Sequence, residues 1–389
     1  LGDVYKRQVF NQFLSLSYLW SHLSGIDPIT LTAVASRSML ALWALFAAYT
    51  LGKAAGQSRR FGLFVACISM LIYLSAPFVR GENVSLFFFE RTNADKFMVP
   101  ITMLPVVFAF AISFIRSGRR AAWLLAGLAA FAVSTIHPLI SAMLALALGA
   151  FGGFHLLFNL RRRTAWFRTM ALGGLVAIAM LLPMVQLVLS RGEAPLASSY
   201  PASFEGWPLG VKLIPVLPFI QIETIDLYGP LPALDQIDAI QAHEADNPFL
   251  IWRFAVNMNR RRIILFDQDS YISDPSILLE PPYLLALFLL PLVIWRRWRD
   301  PAAQFVTATT LGILFVMFNP LVTPQIGALV MPWILWRFIW LLPYALIIGL
   351  ALRRILTEWI PGFLRWSRAG NGPYRSMVSI WMNGNTGMS

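Results

Sequence analysis

The chain holds a single cysteine, Cys67, inside an apolar run. No disulfide can form within it, and a redox function finds no second thiol. Charge is scarce as well. Only 13% of the 389 residues are charged, about half the fraction of an ordinary soluble domain. Zinc-ligand spacings, a P-loop, a GxGxxG turn ahead of a helix and a serine–histidine–acid motif are all missing. A soluble-enzyme reading therefore has no motif to start from. Apolar surface, by contrast, is abundant: 58% of the residues are hydrophobic.

That apolar content is gathered into runs of about 17–22 residues, the length that crosses roughly 30 Å of hydrocarbon as a helix. They fall at 30–51, 61–79, 98–115, 121–136, 139–160, 169–189, 281–295, 305–322 and 334–352. The expected fold class is all-α: a polytopic transmembrane helical bundle of about nine spans with a long extracytoplasmic loop. Pro and Gly inside several runs are tolerated in membrane helices. Ahead of them, 9–23 mixes apolar, aromatic and polar residues and reads as an amphipathic segment lying at the interface. Asp27 and Pro28 then mark a stop and restart, Asp capping the next helix and Pro suiting its first turn.

The net charge of +12 would suggest nucleic acid in a soluble protein. Here the cations sit in short connections between apolar runs, so no nucleic-acid partner is expected. Lys53, Arg59 and Arg60 lie in the first connection, and Arg116, Arg119 and Arg120 in the third. Arg161, Arg162, Arg163 and Arg168 form the fifth; Arg296, Arg297 and Arg299 the seventh; Arg353 and Arg354 follow the last run. The short alternate connections are neutral or uncharged, apart from His137. Positive charge is retained in the cytoplasm, so the C-terminus is expected there. An integral protein, in a bacterial cytoplasmic membrane, with an extracytoplasmic working face is the expected localisation.

The connection over 190–280 is out of scale, rich in Pro, aromatics and acids, and a segment this long is usually functional unless disordered. Asp267, Asp269 and Asp274 within it read as turn residues with Asx-type hydrogen bonds, against a metal- or substrate-binding alternative. The tail beyond 354 reads as an interfacial helix followed by disorder beyond 370. The expected organisation is a scar-like 1–8, a transmembrane module over 9–189, the loop region 190–280, C-terminal helices over 281–352, and a cytoplasmic tail over 353–389.

Ionisable groups inside or beside apolar runs are costly in lipid and are therefore candidates for function. The segment 82–97, ENVSLFFFERTNADKF, crowds Glu90, Arg91, Asp95 and Lys96 between two apolar runs. Arg37 lies in the first span, Arg337 near the start of the last, and His137 between two spans. By the charge alternation all of these, with Arg80, lie toward the outer leaflet. Bland alternatives stand beside each. Arg337 and Arg37 can snorkel to the interface. The 90–96 cluster can be a solvated helix end with ion pairs. His137 can be a packing histidine.

Arg at headgroup depth can hold a lipid phosphate bidentately, and a nearby carboxylate can accept a hydroxyl proton. With that chemistry, the layout resembles the GT-C superfamily of membrane glycosyltransferases, which use polyprenyl-phosphate sugars at the non-cytoplasmic face. Segment 9–23 matches the end of the first outer loop, 80–97 the second, His137 the short third, and 190–280 the long fourth. The ERTNADKF and WRFIWLLP stretches add an impression of a bacterial branch. The resemblance implies a polyprenyl-phosphate-linked sugar as donor and an envelope glycan, lipid or protein as acceptor, with membrane lipid around both. It implies Arg337 on the donor phosphate, helped by Arg37 or Arg91, with Lys96 and His137 as further substrate-binding candidates. Asp95 or Glu90 would be the catalytic acids, orienting acceptor or metal. The resemblance fixes no cofactor and leaves room for a divalent metal ion.

The first helix and the acid expected just after it have no counterpart in this chain. Its opening residues, LGDVYKRQ, resemble a translated sequencing-adapter sequence. The expectation is an N-terminally truncated fragment, inactive as it stands. Two enzymatic rivals, a polymerase and a ligase of lipid-linked oligosaccharides, share the lipid phosphate and the outer loop. A transporter or flippase would instead require midplane polar groups and broken helices in matched halves. A non-catalytic scaffold would leave the outer cluster without a ligand.

Overall fold

In hydrocarbon a backbone must satisfy its own hydrogen bonds, and a helix does so within one segment. The computed structural model follows that rule through the apolar runs. It describes residues 12–27, 30, 36–75, 98–190, 209–215, 224–225, 250–256, 263–265, 271–295, 297–330 and 332–360. Helix α1 is Gln12–Ser24, α2 Ser36–Gly56 and α3 Arg59–Ser75. A π turn at Val99–Met103 leads into α4, Leu104–Ser117. Then come α5 (Arg120–Ile136), α6 (Pro138–Phe158) and α7 (Arg163–Ser190). After the strands follow α8 (Pro281–Ile294), α9 (Pro301–Phe318), α10 (Thr323–Val330) and α11 (Tyr344–Arg354).

Among the described residues, six helical stretches are long and apolar enough to cross a membrane, and α5 and α8 are shorter apolar helices. The protein is an integral membrane helical bundle. Its inside and outside are distributed accordingly. Ala109, Ala111, Ala126, Ala130, Ala286 and Ala302 are buried, and such small residues let helix backbones approach. Phe305 of α9 fills the centre, its ring 4.8 Å from Phe108 and 5.5 Å from Phe151. Phe46, Leu128, Phe167 and Ile178 point outward, an apolar surface suited to lipid tails.

Helix α1 occupies the segment expected at the interface, with Tyr18, Leu19, Trp20 and Leu23 exposed. The Asp27 carboxylate accepts from the Thr30 backbone N–H at 2.9 Å, the expected cap. Two expected runs are interrupted. The run 305–322 ends as a helix at Phe318, turns at Asn319, and restarts as α10. The run 334–352 divides into a 3₁₀ helix, Pro332–Leu341, and α11. Pro343 has no N–H to give and stands at the break.

The long connection carries strands: β1 Leu209–Pro215, β2 Thr224–Ile225, β3 Leu250–Val256, β4 Ile263–Leu265 and β5 Tyr271–Ser273. They form a five-stranded antiparallel sheet in the order β2-β1-β3-β4-β5. The longest pairing runs from Leu209 opposite Val256 to Pro215 opposite Leu250. The bundle is thus helical as expected, with a small sheet added. Edge strand β5 packs on α9 and α10 and joins the sheet to the bundle.

Candidate functional site

The basic connections meet at one end of the bundle. Arg116, at the end of α4, bonds the Asp300 carboxylate at 2.5 Å and reaches the Ala54 and Ala55 carbonyls of α2. Asp300 in turn caps α9 through the Ala302 N–H. Arg168 of α7 donates to the Ile115 and Arg116 carbonyls at 2.9 and 3.0 Å. Arg353 donates to the Gly56 carbonyl, and Arg354 to that of Leu292. A helix C-terminus leaves carbonyls without intrahelical partners. The guanidinia at this end supply those partners. Beneath them His155 and Gln304 form a buried pair 2.6 Å apart between α6 and α9.

The opposite end is built differently. Here α3 finishes and α8, α11 and the 3₁₀ helix begin. Arg337 lies in that 3₁₀ helix and is only 8% exposed. Its guanidinium carbon sits 5.5 Å from the Trp340 ring centroid and 5.9 Å from that of Trp336. In a 3₁₀ helix residues three apart eclipse, which brings Arg337 and Trp340 together. The two indoles meet edge to face at 5.3 Å. Leu335, Phe338 and Ile339 around them are buried. A 3₁₀ run of ten residues is long for its type, and such runs mark strain or function.

Acid and hydroxyl groups accompany it. Asp274 follows strand β5 and is buried. Tyr271 of β5 points its hydroxyl at α10, where it donates to the Pro324 carbonyl at 3.4 Å. A Cβ at Gly327 would stand 2.0 Å from that hydroxyl and 3.3 Å from Leu335. Glycine is therefore required for strand, α10 and 3₁₀ helix to meet. Burial pushes the Tyr271 phenol up to about 12. Glu280 precedes α8 and acts electrostatically on Tyr283 and Tyr344. The rings of that tyrosine pair lie 5.6 Å apart, and Tyr344 shares a hydrogen bond with Tyr73 of α3.

Of the residues singled out from the sequence, Arg337 is placed in this buried aromatic setting. His137 is half-buried at the joint of α5 and α6, its N–H donating to the Val133 carbonyl. The backbone of Arg37 lies in the first turn of α2, and its side chain is outside the described ones. Glu90, Arg91, Asp95 and Lys96 lie outside the described residues. The structure thus describes neither candidate acid beside Arg337. Asp274, read as a turn residue, is inside the protein, and Glu280 and the tyrosines were not singled out. Among the described residues, no group of three or more His, Cys, Asp or Glu side chains is arranged to hold a metal.

The arrangement pairs a permanently charged, largely desolvated guanidinium with aromatic walls at the less basic end of a membrane bundle. Such a group can hold a phosphate or carboxylate through two parallel hydrogen bonds. No family model matches the chain, and no curated protein matches it.

Proposed function

We propose that the protein is a membrane glycosyltransferase of the GT-C kind. It moves a sugar from a polyprenyl-phosphate donor to an extracytoplasmic acceptor in cell-envelope glycan or glycoconjugate assembly. The observation that carries this reading is Arg337, buried against Trp336 and Trp340 in a proline-bounded 3₁₀ helix. A guanidinium fixed in an apolar run is a candidate to hold the phosphate of a lipid-borne donor.

In this reading the acceptor hydroxyl oxygen forms a bond to the anomeric carbon while the bond from that carbon to the phosphate oxygen breaks. The electron pair leaves with polyprenyl phosphate, and Arg337 stabilises the growing charge. A carboxylate takes the hydroxyl proton. Asp95 or Glu90 fills that role, with Arg37 or Arg91 assisting at the phosphate. The nine-span arrangement with the sheet-bearing segment outside belongs to the same proposal.

The test is Arg337→Ala and Arg337→Lys, each assayed for transfer from a labelled polyprenyl-phosphate sugar and for binding of the polyprenyl phosphate itself. Loss of one such charge-stabilising donor should lower kcat by about 10²–10³-fold. Lysine should recover part of the binding and little of the rate, since it cannot grip two oxygens in the same plane. Wild-type binding and transfer in Arg337→Ala would remove this residue from the mechanism.

A further inference from the structure

A shallow recess of about 40 Å³ opens at the basic end of the bundle, among the ends of α2, α8 and α11. Its apolar side is Ala55, Val293 and Leu350; Arg297, Arg353, Arg354 and Thr357 line the rest, with Asp300 and Glu358. The charges do not balance. Arg116 takes Asp300 from behind. Glu358 is divided between Arg297, at 2.5 Å, and Arg354, at 3.0 Å. Arg353 has no carboxylate partner among the described residues. It donates to the Gly56 carbonyl and lies over the Phe61 ring, 5.2 Å from its centroid. A guanidinium carries five N–H donors, so these contacts leave Arg353 with donors to spare at the recess.

The depth of the recess points to the ligand. Trp295, Trp298 and Trp359 are exposed close by, and indoles gather where hydrocarbon gives way to headgroups. Leu356 and Ile360, on either side of Glu358 in the sequence, are exposed as well. A basic pocket between membrane helices with an apolar wall suits a lipid whose headgroup is anionic. We propose that this recess binds the phosphate of an anionic glycerophospholipid, its phosphodiester on Arg353 and Arg297 and its tails against the exposed Leu356 and Ile360. The site is separate from that of Arg337 and holds whether or not the protein transfers sugars.

The experiment is retention of phosphatidylglycerol by the purified chain in native mass spectrometry, in parallel with phosphatidylcholine and with inorganic phosphate as competitor. One phosphatidylglycerol per chain should be retained in preference to phosphatidylcholine, and inorganic phosphate should not displace it. Arg353→Gln and Arg297→Gln should each weaken retention about fivefold, the effect of one basic group near a headgroup. Arg353→Lys should stay close to wild type, as should Arg299→Gln, which changes an exposed cation outside the recess. Should Arg353→Gln fail to fold, Arg297→Gln, at a half-exposed side chain, still decides. Equal retention of the two lipids, or undiminished retention in the glutamine variants, overturns the proposal. Displacement by inorganic phosphate makes this a site for free phosphate and overturns the lipid assignment.

Discussion

At the scale of single residues, Asp300 joins two helices through one carboxylate. Its carboxylate receives Arg116 from α4 and the Ala302 N–H at the start of α9. The same guanidinium reaches α2. Asp300→Ala should therefore destabilise by about 2 kcal/mol, combining a lost N-cap with a lost charged hydrogen bond. Asn, which keeps a cap acceptor, should lose about half of that. Thermal unfolding in detergent measures both. The presence of cations at these positions was legible, because topology demands Lys and Arg in short inner connections. Their partners were not. Arg116 and Asp300 are brought together only by the way α4 and α9 pack. Arg337 was legible as a charge in an apolar run, whereas its aromatic enclosure depends on the 3₁₀ geometry.

At the scale of elements, helix existence was plain from hydropathy and helix continuity was not. The run 334–352 has no polar residue at its break, yet the chain leaves helical geometry before Pro343. The proline was the available signal, but membrane helices accommodate many prolines without such a break. The strands were hidden for another reason. LGVKLIP and LIWRFAV are rich in strand-forming residues, but their pairing spans a sequence distance that local reading does not bridge. Close helix pairs follow a simpler rule. Gly52 and Gly56 of α2 face Val65 and Phe61 of α3, and a Cβ on Gly62 would stand 2.8 Å from the Tyr49 carbonyl oxygen. A carbonyl held in a helix ladder cannot move aside as a side chain can. Gly62→Ala should accordingly cost about 1–3 kcal/mol through overpacking, seen as a lower unfolding midpoint. The docking of β5 predicts a pH effect. With the Tyr271 phenol raised from 10.0 to about 12, the fold favours the neutral form. Its contribution is complete below about pH 10 and is lost as the pH rises to about 12. Ultraviolet titration should lose one late-ionising tyrosine in Tyr271→Phe, and that variant should lose stability less steeply across the same window.

At the scale of the whole molecule, orientation follows from which end holds the cations. Segments from four basic connections and the stretch after the last run, far apart in sequence, meet through the contacts of Arg116, Arg168, Arg353 and Arg354. Alternating loops can converge this way only if successive helices run up and down, so the charge pattern and the packing express the same topology. Short cationic connections resist translocation, which assigns this end to the cytoplasm in the proposed arrangement. The Arg337 end, with β5 and the tyrosines, then faces outward. The single cysteine makes the orientation easy to test. In a Cys67→Ala background, one cysteine is placed at Asp27, which is exposed where the chain approaches α2, and another, separately, at Arg299, exposed at the basic end. A membrane-impermeant maleimide applied to intact spheroplasts should label the first directly and the second only after permeabilisation. The reverse pattern would put Arg337 on the cytoplasmic side. A polyprenyl-linked donor presented outside could then not reach it, and the glycosyltransferase reading would fail while the helical bundle and its packing stood unchanged.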